Sequence, residues 1–240
     1  MAFATVGTRG IQAQSVDLSS KVTGTLPVPN GGIGIASGTV DQFLKFTGTE
    51  TLASAADNEG GLVKLGEAST TSAVSSLTID NCFTTTYDMY KVIGFLTPSS
   101  SGAHCYVQWR TGGASGSTYS TSDYSWITEG QYIQSSGPSS AQYLNWNYSA
   151  GHARVASDCG DGTDKAVLFN FLVGDPLTQE LAHPFTTGTT AWKVATNNRW
   201  VSAHMGWNNT AAIDATGLIF SYSTGNIAKG KFIVYGCKQT

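Results

Sequence analysis

Charged side chains are scarce in this chain of 240 residues, at 12% of the total, about half the usual share. Lys and Arg together number 13, form no cluster, and leave a net charge of -3. That balance offers no electrostatic footprint for a phosphate backbone or an anionic membrane surface, so no nucleic-acid partner is expected. Runs of about 18 consecutive apolar residues are missing, so no membrane insertion is expected. Met1–Arg9 has no basic region leading into an apolar stretch, and no secretion signal is read there. Reduced thiols are then the expectation for Cys82, Cys105, Cys159 and Cys237, and the lack of any CxxC pair removes a zinc cage.

In place of charge the chain carries 28 glycines and many Ser, Thr and Asn residues. Their hydroxyls and amides compete for backbone hydrogen bonds, which favours turns and strand edges over helix interiors. Helix should be rare. Hydrophobic residues at 40%, with 6 Trp, 10 Tyr and 10 Phe, are too many for a disordered chain and demand a packed core.

Up to about residue 70 the apolar residues come singly: Val6, Ile11, Leu18, Val22, Leu26, Val28, Ile33, Ile35, then Phe43, Leu44 and Phe46. Gly, Pro and Asn break the segment between them, most densely over Leu26–Gly34, which blocks helix and disfavours a central strand. Residues 1–71 are therefore either a flexible tether or an extended, strand-like segment whose apolar groups are covered by other chains, and the second reading, an N-terminal anchor and trimerisation segment, is preferred. From Leu77 the texture becomes β-branched and aromatic runs between Gly, Ser and Asn clusters. Met89–Leu96, His104–Arg110, Gln142–Tyr148, Ala166–Val173, Ala191–Ala195, Trp200–Trp207, Leu218–Tyr222 and Lys231–Cys237 read as strands. Ala166–Val173 is nearly all apolar and should lie mid-sheet, covered on both faces. The fold class predicted is all-β, with residues 72–240 forming an antiparallel, jelly-roll-like β-sandwich.

Few residues suggest chemistry. Gly31–Gly34 follows no buried strand, opens no helix and lacks the Gly-Lys-Ser/Thr ending of a phosphate loop. His104, His152, His183 and His204 are scattered without metal-ligand spacing. Asp158, Asp161 and Asp164 gather three carboxylates around glycines, a pattern that either holds calcium or makes a tight hairpin, and the closing Glu of an EF-hand is missing. Asp123, Glu129, Asp175 and Glu180 are the acids available for a glycan-cleaving pair, yet nothing singles out two of them. No Gly-x-Ser-x-Gly elbow occurs. The stretch holding Tyr119, Tyr124, Trp126 and Tyr132 sets flat rings among Ser, Thr and Gly, a combination suited to stacking on sugars; the alternative is that these rings pack onto the sandwich or a neighbouring protomer. No cofactor is expected.

Two segments resemble a known family. Lys21–Gly34, followed by Gln42–Gly48, resembles a repeated element of tailed-bacteriophage tail fibres, whose usual form runs leucine-proline-valine-alanine-asparagine-glycine-glycine-threonine-glycine before a phenylalanine-leucine-lysine run. This copy departs from it at Pro29 and Ile33. The terminal Leu218–Lys238 looks like the closing hairpin of phage virion proteins, particularly of marine podoviruses. The resemblance implies a fibre or spike, made as a homotrimer, joined to other virion proteins by its N-terminal part and carrying a host-facing or lateral β-domain that serves adhesion; a host cell-surface glycan is the partner that the Tyr119–Tyr132 rings suit. It places the protein in the virion, after assembly in the host cytoplasm. Asn30, Gly31 and Gly32 suit close approach of three backbones, since side chains would collide near a threefold axis. Leu26, Val28, Ile33, Phe43, Leu44 and Phe46 would then be buried by neighbouring copies. A head fibre or capsid decoration protein, a capsule depolymerase and a free lectin-like module are the rival readings.

Overall fold

The computed structural model describes residues 43–48, 51–55, 61–134, 137–161, 165–177, 183–195 and 199–238, with backbone alone at 43–48, 51–55, 133–134, 137–141 and 238. Leu26, Val28, Asn30, Gly31, Gly32 and Ile33 lie outside the described residues, as do Asp164 and Glu180. The chain divides into two compact units, Met1–Glu59 and Gly60–Thr240.

In the first unit β1 (Phe43–Gly48) pairs antiparallel with β2 (Thr51–Ala55), setting Phe43 opposite Ala55, Leu44 opposite Ser54 and Phe46 opposite Leu52. Phe43, Leu44 and Phe46 thus sit on a strand with a partner in their own chain, a local pairing that the reading of an unpaired extended segment had not foreseen. The six-residue and five-residue runs are close enough in sequence to close a short hairpin at small entropic cost.

Among the described residues the second unit is all β apart from a short 3-10 turn at Gly113–Ser115. Its strands are β3 (Gly61–Thr70), β4 (Ser76–Ile79), β5 (Met89–Pro98), β6 (Ala103–Thr111), β7 (Ser117–Thr118), β8 (Tyr124–Gln134) and β9 (Gly137–Ala150). They continue with β10 (Ala153–Cys159), β11 (Val167–Gly174), β12 (Phe185–Lys193), β13 (Trp200–Asn209), β14 (Gly217–Tyr222) and β15 (Ile227–Lys238). One sheet runs β10-β6-β14-β4 with β7 appended to β6, and the other is eight-stranded, β3-β15-β5-β11-β12-β13-β8-β9. Every strand pair is antiparallel, so the sandwich of two antiparallel sheets predicted from the strand pattern is present.

The sandwich begins earlier than the sequence boundary at residue 72. Strand β3 pairs with β15 from Gly61 opposite Lys238 to Thr70 opposite Gly230, and Glu67 bridges Lys231 and Lys64 at 2.6 Å each. As an edge strand it buries little, with only Leu65 and Ala68 packed against the core, so its apolar pattern is weak and its backbone ladder carries the placement. Gly66 is needed there because a Cβ would stand 2.7 Å from Ile79 Cγ2.

Between the sheets lies an aromatic core. Phe169 stacks on Phe220 at 4.7 Å, Phe171 meets Trp207 edge-on at 4.8 Å, and Phe220 meets Phe232 at 4.8 Å. Trp109 and Trp192, the largest of the fully buried side chains, satisfy their polar tips across the layers: Trp192 Nε1 donates to Ser157 O at 2.7 Å and Trp109 Nε1 to Asn209 Oδ1 at 3.1 Å. Cys82, Cys105, Cys159 and Cys237 are unpaired.

Candidate binding face

Strand β11 is mid-sheet, between β5 and β12, as its apolar run required. Its two faces differ, however. Val167, Phe169, Phe171 and Val173 are buried, whereas Leu168 is 51% exposed and Leu172 39%. Among the described residues of the second unit, the other sheet covers only one of the two faces expected to be buried.

That bare side is general. Eleven large apolar side chains are exposed among the described residues, and all but Val63 stand on the outer face of the eight-stranded sheet. Register places them: Leu62 and Met89 share one cross-strand row with Cys237, Leu172 shares another with Ile127 and Trp146, and Leu144 follows Glu129 and His204 in a third. Phe185, Tyr148, Leu168 and Trp200 complete the set. From their fractional exposures these ten side chains together expose roughly 800 Å² of apolar surface, interspersed along the same rows with polar residues such as Lys91, Asn170, Glu129 and His204. On β6, by contrast, the outward-facing residues of the five-stranded sheet are His104, Tyr106, Gln108 and Arg110.

At the β13-β8-β9 end this face is hollowed twice. One hollow of about 480 Å³ lies between Phe185 on one side and Trp146 and Tyr148 on the other, with Gly206 and Ile127 beneath and Ser125, Asn147 and Asn208 around it. The Trp146 and Tyr148 rings are stacked, centroids 5.9 Å apart and planes 23° from parallel. The second hollow, about 590 Å³, is lined by Glu129, Gln131, Gln142, Leu144, Ser202 and His204 with the backbone of Gly130 and Tyr143. The side chains of Glu129, Gln131, Gln142 and His204 make no hydrogen bond among the described residues.

The aromatic residues predicted to meet a ligand face the other way. On β8 alternation turns Tyr124 and Trp126 inward, fully and almost fully buried, and leaves Ser125, Ile127, Glu129 and Gln131 outside. Tyr124 Oη accepts from Trp109 N at 2.8 Å and donates to Tyr119 O at 2.9 Å, and burial pushes its hydroxyl well above the ordinary phenol range. Tyr119 packs against the core and donates to Asp123 at 2.7 Å; Tyr132 packs there too, with Arg199 over its ring at 5.6 Å. The packing alternative weighed for these rings is the one realised for Tyr124 and Trp126.

The missed residues lie one strand on. The alternation of Gln142–Tyr148 is visible in sequence, but ordinary patterning would bury Leu144 and Trp146 and expose Tyr143 and Asn145. The structure does the reverse. Tyr143 is buried against Trp192 at 5.1 Å, and inward Asn145 is satisfied by Ser157 Oγ at 3.2 Å. Residue parity alone carried no signal for this inversion.

Asp164 and Glu180 lie outside the described residues, and the remaining members of the two other candidate groups are placed as follows. Asp158 is tied through its backbone, N–H donating to His104 Nδ1 at 3.0 Å and C=O accepting from Ala195 N at 2.8 Å, while Asp161 faces Lys165 at 4.0 Å. Among the described residues no group of three or more His, Cys, Asp or Glu could hold a metal ion. Of the acids, Asp123 accepts from Thr121 and Tyr119, which hold its carboxyl below the usual range, and Asp175 is buried beyond the end of β11. Glu129 stands as a single carboxylate in one hollow, and the other hollow has none.

No family model and no curated protein matches this chain. Among solved structures, a chain from the structure of the infectious bursal disease virus Gx strain aligns with 84% of this chain at 10% identity and a TM-score of 0.14. This chain covers 47% of that one, and a likeness of this degree carries no argument.

Proposed function

We propose that this chain is a structural, non-catalytic subunit of a tailed-bacteriophage virion, a tail fibre or spike that assembles as a homotrimer and presents its β-sandwich for host adhesion. The observation that carries the proposal is the concentration of exposed apolar side chains on one sheet face. On the β3-β15-β5-β11 half, Leu62, Met89, Leu168 and Leu172 together expose roughly 300 Å² of apolar side chain, and covering them with a neighbouring copy favours association. Copies of the same chain are the occupants that the fibre-like Lys21–Gly34 motif supplies, and threefold association brings the β3-β15-β5-β11 half of each face, with Leu62, Met89, Leu168 and Leu172, against its neighbours. The segment before Gly60 joins the subunit to other virion proteins.

The chemistry of the face fits this role better than that of a depolymerase. Cleavage of a glycosidic bond by the usual route needs two carboxyls flanking it, and Glu129 has no acidic companion in its hollow. The test is the mass of the full-length protein by light scattering together with its copy number in purified particles. A trimer present in multiples of three per virion is expected; a compact monomer at micromolar concentration overturns the proposal.

A further inference from the structure

We propose that the two hollows over β13, β8 and β9 form one groove that binds a short, neutral oligosaccharide, with Trp146 as the stacking platform and Gln131, Gln142, Glu129 and His204 as the hydroxyl-reading edge. The inference deepens the adhesive role proposed above and rests on it, but uses the end of the sheet away from the assembly half.

The residues lining the two hollows stand in neighbouring cross-strand rows. Gly206, Ile127 and Trp146 form one cross-strand row, His204, Glu129 and Leu144 the next, and Ser202, Gln131 and Gln142 the third. Four residues separate the first and third rows along each strand, about 14 Å at ~3.4 Å per residue, which accommodates a few pyranose rings end to end.

The lining fits a sugar. A pyranose needs an apolar wall for its C–H face and, at its rim, donors and acceptors together, because every hydroxyl is both. The stacked Trp146 and Tyr148 rings, 58% and 72% exposed, give the wall at one end, with Phe185 opposite. At the other end the two glutamine amides and His204 offer donors, and Glu129 and the amide oxygens offer acceptors. Among the described residues none of these four side chains has a hydrogen-bond partner. Neither hollow is lined by Lys or Arg and one contains a carboxylate, which selects against acidic sugars.

Gly206 supplies a test that removes no contacting side chain. It lies on the floor of the aromatic hollow, its backbone is not in the left-handed region, and a Cβ added there meets only Thr186 O, at 3.1 Å. A valine at this position suits a strand and projects between Phe185 and Trp146.

The experiment is titration of the full-length protein with a panel of linear neutral oligosaccharides of glucose, galactose and mannose, beside uronic-acid oligomers and an extended neutral peptide, followed by Trp fluorescence and calorimetry. At least one neutral sugar should bind, with affinity falling at least tenfold in Trp146→Ala and in Gly206→Val, less in Trp146→Phe, and several-fold in Gln142→Ala. Light-scattering mass should stay that of the wild type in all four variants. Loss of sugar binding with assembly intact therefore reports on the groove alone, while loss of assembly reports on the reading beneath it. No binding by any neutral sugar at millimolar concentration overturns the groove, as does binding that Trp146→Ala and Gly206→Val leave unchanged, or a preference for the uronic acids or the peptide.

Discussion

Replacing Leu168 and Leu172 together by Glu tests the assembly face directly. Both side chains point away from the core on the central strand β11, and their exposed fractions of 51% and 39% amount to roughly 150 Å² per copy. At about 25 cal/mol per Å² that surface, if covered by a neighbour, contributes about 4 kcal/mol, or close to a thousandfold in the association constant. Two buried carboxylates without partners weaken association further. Within one chain the cost is small, because both positions already face water and Lys91, opposite Leu172, can pair with the carboxylate introduced there; about 1 kcal/mol or less is expected in the unfolding free energy. Phe171→Ala, one residue away but pointing inward at 1% exposure, should cost about 3–5 kcal/mol and lower the melting temperature sharply. The assay is sedimentation velocity across a hundredfold dilution series, with thermal unfolding alongside. The expected result is a folded monomer for the double variant where the wild type is a trimer. If the double variant keeps the wild-type mass at the lowest concentration, the outer face of β11 is not where copies meet.

Three further outcomes follow from particular contacts. A chain begun at Gly60 should fold with native stability, whereas one begun at Ser72 loses β3, leaves the β15 edge unpaired and should unfold several degrees lower; equal melting temperatures would restore the boundary at 72. Native protein at pH 8 should react with a disulfide reagent slowly and at Cys237 first, since burial pushes Cys82 and Cys159 up to about 12 and Cys105 well above its ordinary value; rapid labelling of all four would contradict the packing. His104 and His152 are held below the ordinary histidine range by burial first and by the Arg154 charge second, while Asp158 pulls His104 the other way. The unfolded chain then binds protons more readily, so their contribution is complete above the unfolded value near 6.5 and shrinks as pH falls from there toward the folded values; His152→Phe, which keeps a ring against Tyr106, should flatten that slope in melting temperature.

Fold class was legible because it rests on features that one chain supplies. Short β-branched and aromatic runs between Gly and Ser clusters admit no amphipathic helix, and seven of the eight strands read from sequence fall almost wholly within observed ones, Met89–Leu96 and Lys231–Cys237 among them. The weaker reading at Ala191–Ala195 catches only the end of β12, whose Thr-rich Phe185–Thr190 portion carries few large apolar residues. Strand β3 was hidden for a related reason: an edge strand is placed by backbone bonds, and backbone bonds leave no residue pattern. The binding residues were harder still. Tyr124 and Trp126 look like sugar platforms in a list of residues, yet a period of two must send alternate side chains to opposite faces, and nothing in the local sequence says which face is dry.

What decides the face is the competition between neighbours for the interior. On β9 an Asn and a Tyr point inward because Ser157, on the next strand, and Trp192, on β12, offer the one a hydrogen bond and the other an aromatic edge. Leu144, Trp146 and Tyr148 are displaced outward as a consequence, against their own transfer preference. An arrangement that exposes three large side chains in one strand, and repeats the exposure at Leu168, Leu172, Met89 and Phe185, raises the free energy of the isolated subunit. Under the assembly proposed above, that cost is offset when copies meet and, at the β9 end, when a ligand stacks. The polar outer row of β6, with His104, Tyr106, Gln108 and Arg110, then faces water in the assembled particle, so a bulky tag at Gln108 should leave the oligomer intact, whereas the same tag at Asn170 on β11 should break it.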